Sequence, residues 1–338
     1  MFECRICGNR EGNRKHIARE MMIGLREEFE YIECASCGCL QIAEIPSNLG
    51  KYYPVEKYYS YQVNSADFRT LLRSFLRRER AAYVFGRRNP IGMILTHLFG
   101  ETEYHRWLKN SDVAFDSSIL DVGCGGGALL LNLLSEGFKS LTGVDPYLPR
   151  AISYGKGLEI FNCHLSDLPR QYDFIMLNHS FEHMPEPLTV LGELTRLLNA
   201  DGRILIRVPL VGTWAWRNYG VNWVALDSPR HLYLHTPKSI HILAQRAGLD
   251  VVRVEFDSSD FQFWGSEQYV RDIPLSDPRS YALNPRRSPF TKRDIRAFRT
   301  RANELNKTQD GDQACFYLVP SGHPSTSAVS SPNAVAHT

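Results

Sequence analysis

The stretch Leu120-Asp-Val-Gly-Cys-Gly-Gly-Gly-Ala128 limits what this chain can fold into more than any other. An apolar run from Ser118 to Val122 enters a glycine cluster and leaves it in Ala128-Leu-Leu-Leu-Asn-Leu-Leu134. That order reads as buried strand, tight turn and helix. Glycines at 123, 125 and 127 allow positive φ and let backbone amides approach a ligand at the positive end of the following helix. The loop is therefore expected to hold a nucleotide-like group. Gly123, Gly125 and Ala128 satisfy G-x-G-x-x-A, and Asp145 lies about where a dinucleotide-binding fold places its ribose-binding acid. The same residues also satisfy D-x-G-x-G-x-G, with Asp121 at the strand end. A carboxylate there suits a ligand whose near end carries an ammonium and repels a pyrophosphate.

Followed by Gly143-Val-Asp145-Pro, this pattern resembles motif I and the acidic second motif of class I S-adenosylmethionine-dependent methyltransferases. The resemblance implies an α/β, doubly wound, Rossmann-like fold with a seven-stranded sheet, and S-adenosylmethionine as cofactor. Asp121, Gly123, Gly125 and Gly127 would meet its methionine part, and Asp145 would take both ribose hydroxyls. Asn178, at the end of the fourth strand, joins this set. Many relatives carry an Asp after the third strand for the adenine amino group, where this chain has Cys163-His164-Leu165; His164 can accept that hydrogen bond through a ring nitrogen.

In open α/β sheets ligands bind outside the carboxyl ends of the strands. The fourth strand ends in Asn178-His-Ser-Phe-Glu-His-Met-Pro-Glu-Pro187, which resembles a segment of the ubiquinone-biosynthesis and sugar methyltransferase branch of class I. Methyl transfer from a sulfonium leaves the protein to align the acceptor, exclude water and remove one proton. Glu182 and His183 are candidates for a carboxylate orienting an imidazole base, with His179 at the same strand end. His231 and His235, in Asp227-Ser-Pro-Arg-His-Leu-Tyr-Leu-His235, are alternative bases after the fifth strand. Trp214, Trp216, Trp223 and Tyr233 would wall a substrate pocket. Arg230 either meets an anionic group of the substrate or pairs with an acid.

Cys4-x-x-Cys7-Gly8 and Cys34-x-x-Cys37-Gly38 form two knuckles. Each points two thiolates at one point, so Cys4, Cys7, Cys34 and Cys37 make a closed, tetrahedral site for Zn²⁺ whose role is folding. Cys39 and His16 are spare. Zinc knuckles ahead of such a core look like those of sugar C-methyltransferases and of methyltransferases from polysaccharide loci.

The chain divides into a zinc-binding module (1–45), an aromatic connector with a basic amphipathic helix (46–112), a methyltransferase domain (113–320, with an insertion at 257–312) and a Ser/Pro/Ala tail (321–338) expected to be disordered. Within the core, helices are expected at 126–136, 148–156, 186–198 and 237–247, and a further one at 292–305. From Phe68 to Arg88, apolar residues alternate at helical spacing with seven arginines, a pattern that suits an anionic membrane surface, a phosphate-bearing partner or a solvated bridging face.

A net charge of +2 argues against a nucleic-acid partner. No apolar run reaches the length of a membrane span, the N-terminus lacks a signal-peptide pattern, and the cysteine usage reads as metal plus reduced thiols in a cytoplasm. The expected function is methyl transfer to a sugar, nucleotide-linked, lipid-linked or in a surface polysaccharide. Quinone or phenol O-methylation and rRNA methylation are the alternatives.

Overall fold

The computed structural model describes residues 2–53, 71–155 and 157–323. The tyrosine-rich connector beyond Tyr53, the first residues of the basic helix and the tail from 324 lie outside the described residues.

The chain begins with strands β1 (Arg14–Arg19), β2 (Glu28–Glu33) and β3 (Leu40–Ile42). Three helices follow, α1 (Leu71–Val84), α2 (Pro90–Phe99) and α3 (Glu103–Asn110). The alternating core then runs β4 (Ser118–Val122), α4 (Ala128–Glu136), β5 (Ser140–Val144), β6 (Ile152–Gly155), β7 (Leu158–Phe161), β8 (Tyr172–Asn178), α5 (Pro187–Leu197) and β9 (Leu198–Pro209). It closes with α6 (Trp214–Tyr219), β10 (Tyr233–Leu234), α7 (Pro237–Arg246), β11 (Leu249–Phe256), α8 (Phe261–Val270), α9 (Lys292–Lys307) and β12 (Gln313–Pro320).

The large sheet has the order β11-β12-β9-β8-β4-β5-β7-β6. β4 pairs in parallel with both β5 and β8, β5 with β7, and β8 with β9. β12 runs antiparallel between β9 and β11. Ile119, Leu120, Phe174, Ile175, Ile204 and Leu205 are completely buried in its middle, as strands covered by helices on both faces require. The first βα unit sits at the centre, so the glycine loop opens at the switch point between β4 and its two neighbours.

One expected helix is replaced. The described residues of the helix expected at 148–156 do not form one; Ile152–Gly155 is instead an antiparallel edge strand on β7, which makes the sheet eight-stranded rather than seven. Gly155 and Gly157 both hold positive φ, and a Cβ on Gly157 would stand 2.0 Å from the Lys139 carbonyl oxygen. A close backbone crossing of that kind is incompatible with a continuing helix. The long gap at 257–312 carries α8 and α9, the latter begun by a reciprocal cap between Thr291 and Asp294.

The N-terminal strands do not stand alone. They form a four-stranded sheet of order β1-β2-β3-β10, whose last strand comes from the 227–235 loop. Arg230 in that loop is completely buried, holding Asp227 at 2.6 Å and Glu20 at 3.0 Å, and donating to the Tyr52 carbonyl at 3.2 Å. Of the two readings of Arg230, the structure shows the pairing with acids, buried rather than at the surface, and it ties the loop to the N-terminal segment. Tyr31 does the same by donating to the His231 carbonyl at 2.9 Å.

The basic helix α1 lies on α4. Arg77 donates to Asn132 at 3.1 Å and to Ser135 at 3.2 Å, and Arg80 stands 3.9 Å from Glu136. Glu136 is buried and also receives His105 at 2.9 Å and Tyr104 at 2.7 Å. Part of the arginine stripe is therefore spent on docking the helix to the core.

Candidate active site and four-cysteine centre

The loop after β4 is built around two glycines. Gly123 has φ of 74° and its missing Cβ would stand 2.5 Å from Ser180 Cβ; Gly127 has φ of 79° and its Cβ would meet Ile160 at 2.2 Å. Any side chain at either position would fill the cradle or displace its wall. Ser180 closes the far side by donating to the Val122 carbonyl at 2.6 Å. Asp145, at the carboxyl end of β5, accepts from the Gly125 amide at 3.0 Å and the Tyr147 amide at 2.9 Å, and so fixes the loop's curvature. Asp121 is buried and has no ion-pair or hydrogen-bond partner among the described residues. Burial, then the charge of Asp145, pushes its carboxyl up to about 7.

His164 is exposed after β7 and caps the turn at Leu165–Asp167. Asn178 is engaged by Arg207, which donates to its side-chain oxygen at 3.1 Å.

After β8 a short 3-10 turn, Phe181–His183, buries Glu182 completely. Its neighbours define their own tautomers. Arg207 donates to His179 Nε2 at 2.8 Å, so Nε2 accepts and the ring proton sits on Nδ1, facing Glu182 Oε1 at 3.3 Å. His183 Nδ1 lies 2.9 Å from the Arg230 carbonyl and His231 Nδ1 lies 2.8 Å from the Ala225 carbonyl. A carbonyl only accepts, so both rings carry a proton on Nδ1, and in the neutral tautomer the lone pair is on Nε2. Tyr53 approaches His183 Nδ1 at 3.1 Å. The rings of His183 and His231 meet edge to face at 4.7 Å, and His231 Nε2 lies 3.8 Å from Glu182 Oε1. One ligand atom each from Glu182, His183 and His231 falls within 4.8 Å of the others.

The charges follow from these contacts. Burial would raise the Glu182 carboxyl, but the His179 hydrogen bond and the imidazoles of His231, His183 and His179 hold it down to about 2. Burial drops His231 to about 4, so it is neutral at pH 7, and the His179 hydrogen bond is the firmer of the two reasons for an ionised Glu182. Glu182 Oε2 is buried and has no hydrogen-bond partner among the described residues. The site therefore presents a bare carboxylate oxygen and the Nε2 atoms of two imidazoles whose Nδ1 atoms are bonded to backbone carbonyls.

His235 is not brought into this group. It is completely buried between Phe181 and Tyr233, with ring centroids at 5.3 and 5.9 Å, and burial lowers it to about 4. Trp216 and Trp223 are packed inside the protein. Trp223 is completely buried and donates to Asp312 at 2.8 Å, and Trp216 packs edge-on against His16 at 5.1 Å. They form the joint between the small sheet and the core.

Arg207, on β9, went unnoticed in the sequence. It is nearly buried, bound to Asp257 at 2.7 Å and laid over Trp107 at 5.1 Å. A lone arginine inside an apolar strand that ends at the ligand face, Ile204-Leu-Ile-Arg-Val208, was the available signal.

The four cysteine sulfurs also converge. Cys4 and Cys37 stand 3.6 Å apart, Cys7 and Cys34 3.5 Å, and all four lie within 4.8 Å. Zinc–sulfur bonds of ~2.3 Å in a tetrahedron put sulfurs roughly 3.8 Å apart, so the donor set fits Zn²⁺. In each knuckle the glycine amide returns to the first cysteine's carbonyl, Gly8 to Cys4 at 2.8 Å and Gly38 to Cys34 at 2.9 Å. Gln41 donates to Cys4 Sγ at 2.9 Å, as suits a thiolate. The hydrogen bond from Cys37 holds Cys4 down to about 4. Cys39 is buried and points away to the Leu40 carbonyl, and His16 pairs with Glu33 at 2.8 Å, so neither completes the set.

A family model described as a methyltransferase domain matches residues 97–254. The chain carries a class I S-adenosylmethionine-dependent methyltransferase domain. The ubiquinone biosynthesis O-methyltransferase of Yersinia enterocolitica is 32% identical over 145 residues, 40% of this chain and 57% of that protein. Its counterpart from Yersinia pestis is 28% identical over the same shares. The match thus spans little more than half the length of these curated relatives. A cyclopropane synthase structure from Mycobacterium tuberculosis aligns at TM-score 0.41 and 15% identity, over 62% of this chain and 80% of that one.

S-adenosylmethionine fits the methyltransferase cradle on two counts. The bare loop glycines leave room for its backbone-like methionine end, and a buried carboxylate without a cation, Asp121, is matched by an ammonium. A cationic ligand favours ionised Asp121, so affinity is expected to rise with pH through about 7 and to be roughly tenfold weaker near pH 6 than on its plateau. Calorimetric titration across that range tests this, with Asp121→Asn expected to flatten the dependence; a flat profile in the unaltered protein would contradict it.

Proposed function

We propose that this protein transfers the methyl group of S-adenosylmethionine to an acceptor hydroxyl, and that His183 takes the hydroxyl proton. The observation that carries the reading is the placing of His183 and His231, each with Nδ1 bonded to a backbone carbonyl, beside the buried Glu182. The cofactor supplies the electrophilic methyl. Asp145 and the glycine loop hold it, His179 orients Glu182, and Glu182 stabilises the imidazolium that forms on His183.

The acceptor we favour is a phenolic or quinone-type hydroxyl, in line with what the Yersinia relatives are named for. A sugar hydroxyl or carbon is the second reading. The four-cysteine module supports it, because that module lies outside the region matched by the family model and looks like the knuckles of sugar methyltransferases. We further propose that Cys4, Cys7, Cys34 and Cys37 hold one structural Zn²⁺.

Radiolabelled S-adenosylmethionine incubated with substituted phenols, quinone precursors, nucleotide sugars and polysaccharide fractions decides the acceptor. Label in phenols alone would retire the sugar reading, and label in none of them would count against the proposal. The same test run with added Mg²⁺ or a mild chelator probes a divalent cation on Glu182, His183 and His231, which would activate the hydroxyl in place of the base.

A further inference from the structure

Among the described residues, thirteen large apolar side chains are exposed, and seven of them lie on α1 and α2. On α2 these are Ile91, Met93, Ile94, Leu98 and Phe99, and on α1 Leu72 and Phe75, each between 42% and 68% exposed. Scattered exposed leucines need no explanation, but a cluster on one helix pair does. α2 reads Pro90-Ile-Gly-Met-Ile-Leu-Thr-His-Leu-Phe99, without one acidic, lysine or arginine residue. Its orientation is fixed. Gly92 faces α1 so closely that a Cβ there would stand 2.2 Å from the Glu79 carbonyl oxygen and 2.6 Å from Tyr83 Cβ, and Asn89 caps the helix. The apolar side is turned outward because the small side is used for packing.

Around this patch the charge has one sign. Between residues 71 and 100 the chain has six arginines and a single acid, Glu79. Arg77 and Arg80 are spent on α4, whereas Arg78, Arg87 and Arg88 are exposed. We infer that α1 and α2 form a docking surface for an anionic lipid bilayer, with α2 lying in the interface and Arg78, Arg87 and Arg88 meeting the headgroups. An apolar helix flanked by arginines is the composition that anionic interfaces retain. Ten residues span ~15 Å, half of a bilayer's hydrocarbon core, so α2 lies along the surface and does not cross. A second copy of the chain fits less well, because a self-complementary contact would bring the same arginines together. Residues 71–96, which carry all of the surface but Leu98 and Phe99, lie outside the match to the family model. The surface is also connected to the site: α3 follows α2 directly and lays Trp107 under Arg207.

The test is co-sedimentation of the full chain with phosphatidylcholine vesicles, with and without phosphatidylglycerol. Binding is expected to the phosphatidylglycerol vesicles and to weaken at high salt. Ile94→Asp with Leu98→Asp should abolish it, and Arg87→Glu with Arg88→Glu should weaken it roughly tenfold or more. S-adenosylmethionine affinity serves as the folding control and should stay unchanged in all of these variants. Equal binding to both vesicle types, or none to either, would overturn the inference. So would a concentration-dependent dimer in sedimentation equilibrium that the aspartate variants dissociate, since the patch would then belong to a second copy. None of these results depends on the acceptor, so failure here leaves the methyltransferase reading standing.

Discussion

His183→Ala is expected to lower turnover by ~10²- to 10⁴-fold, the range that general-base catalysis supplies, with S-adenosylmethionine affinity nearly unchanged. The ring's Nδ1 proton is committed to the Arg230 carbonyl at 2.9 Å, so only Nε2 can accept the hydroxyl proton. Glu182→Gln should cost a comparable factor for a different reason. The amide is near-isosteric but uncharged, so the imidazolium formed on His183 loses its counter-charge, and the loss should appear in kcat rather than KM. His231→Ala discriminates between bases: a loss as large as that of His183→Ala would show that the two rings act as one unit. His235→Ala should leave the reaction's pH profile unchanged and lower stability, because its ring is stacked in the core. Near-normal turnover in a combined His183→Ala, His231→Ala protein would show that no imidazole takes the proton.

The second large effect concerns the cysteines. Removing the metal from the four-sulfur site, or replacing Cys34 by Ser, is expected to unfold the N-terminal sheet, since structural zinc sites carry apparent binding energies of about 10–16 kcal/mol that are folding energy. The damage should spread. The second knuckle is bonded to the start of α7, Thr236 to the Cys37 carbonyl at 2.7 Å and Lys238 to the Ser36 carbonyl at 2.6 Å. β10 is the fourth strand of the same sheet, and Tyr31 holds the His231 carbonyl. Chelation should therefore deprotect the amides of 227–235 in hydrogen exchange and lower turnover, while the buried core around β4, β8 and β9 stays protected. Full exchange protection of that loop after complete metal removal would contradict this coupling. Metal analysis should find one zinc per chain before chelation.

What could be read from the sequence was whatever depends on near neighbours along the chain. The glycine loop, Asp145 one strand later and each C-x-x-C-G knuckle are local devices whose residue types are dictated by backbone geometry, and all are placed as their spacing implies. Glu182 and His183 were legible because they directly follow a strand end. The relay from Arg207 through His179 to Glu182 was not, since it joins residues of two adjacent parallel strands whose register no local pattern specifies. His231 and His235 look alike in sequence, four residues apart in one loop. They are separated by the two-residue strand β10, which turns His235 into the core and leaves His231 beside Glu182. The aromatic loop misled for a related reason: Trp216, Trp223 and Tyr233 are as apolar as a pocket wall would be, but Tyr233 belongs to the small sheet and the two tryptophans are buried where that sheet meets the core. At α2 the packing of Gly92 on α1 leaves the apolar side outside.

The most direct test of the central claim is calorimetric titration of S-adenosylmethionine into the unaltered protein and into Asp145→Ala. Asp145 holds the Gly125 and Tyr147 amides and would take the ribose, so the variant should lose binding while its core remains folded by circular dichroism. Unaltered protein that binds NADH tightly and S-adenosylmethionine not at all would contradict the assignment of this loop.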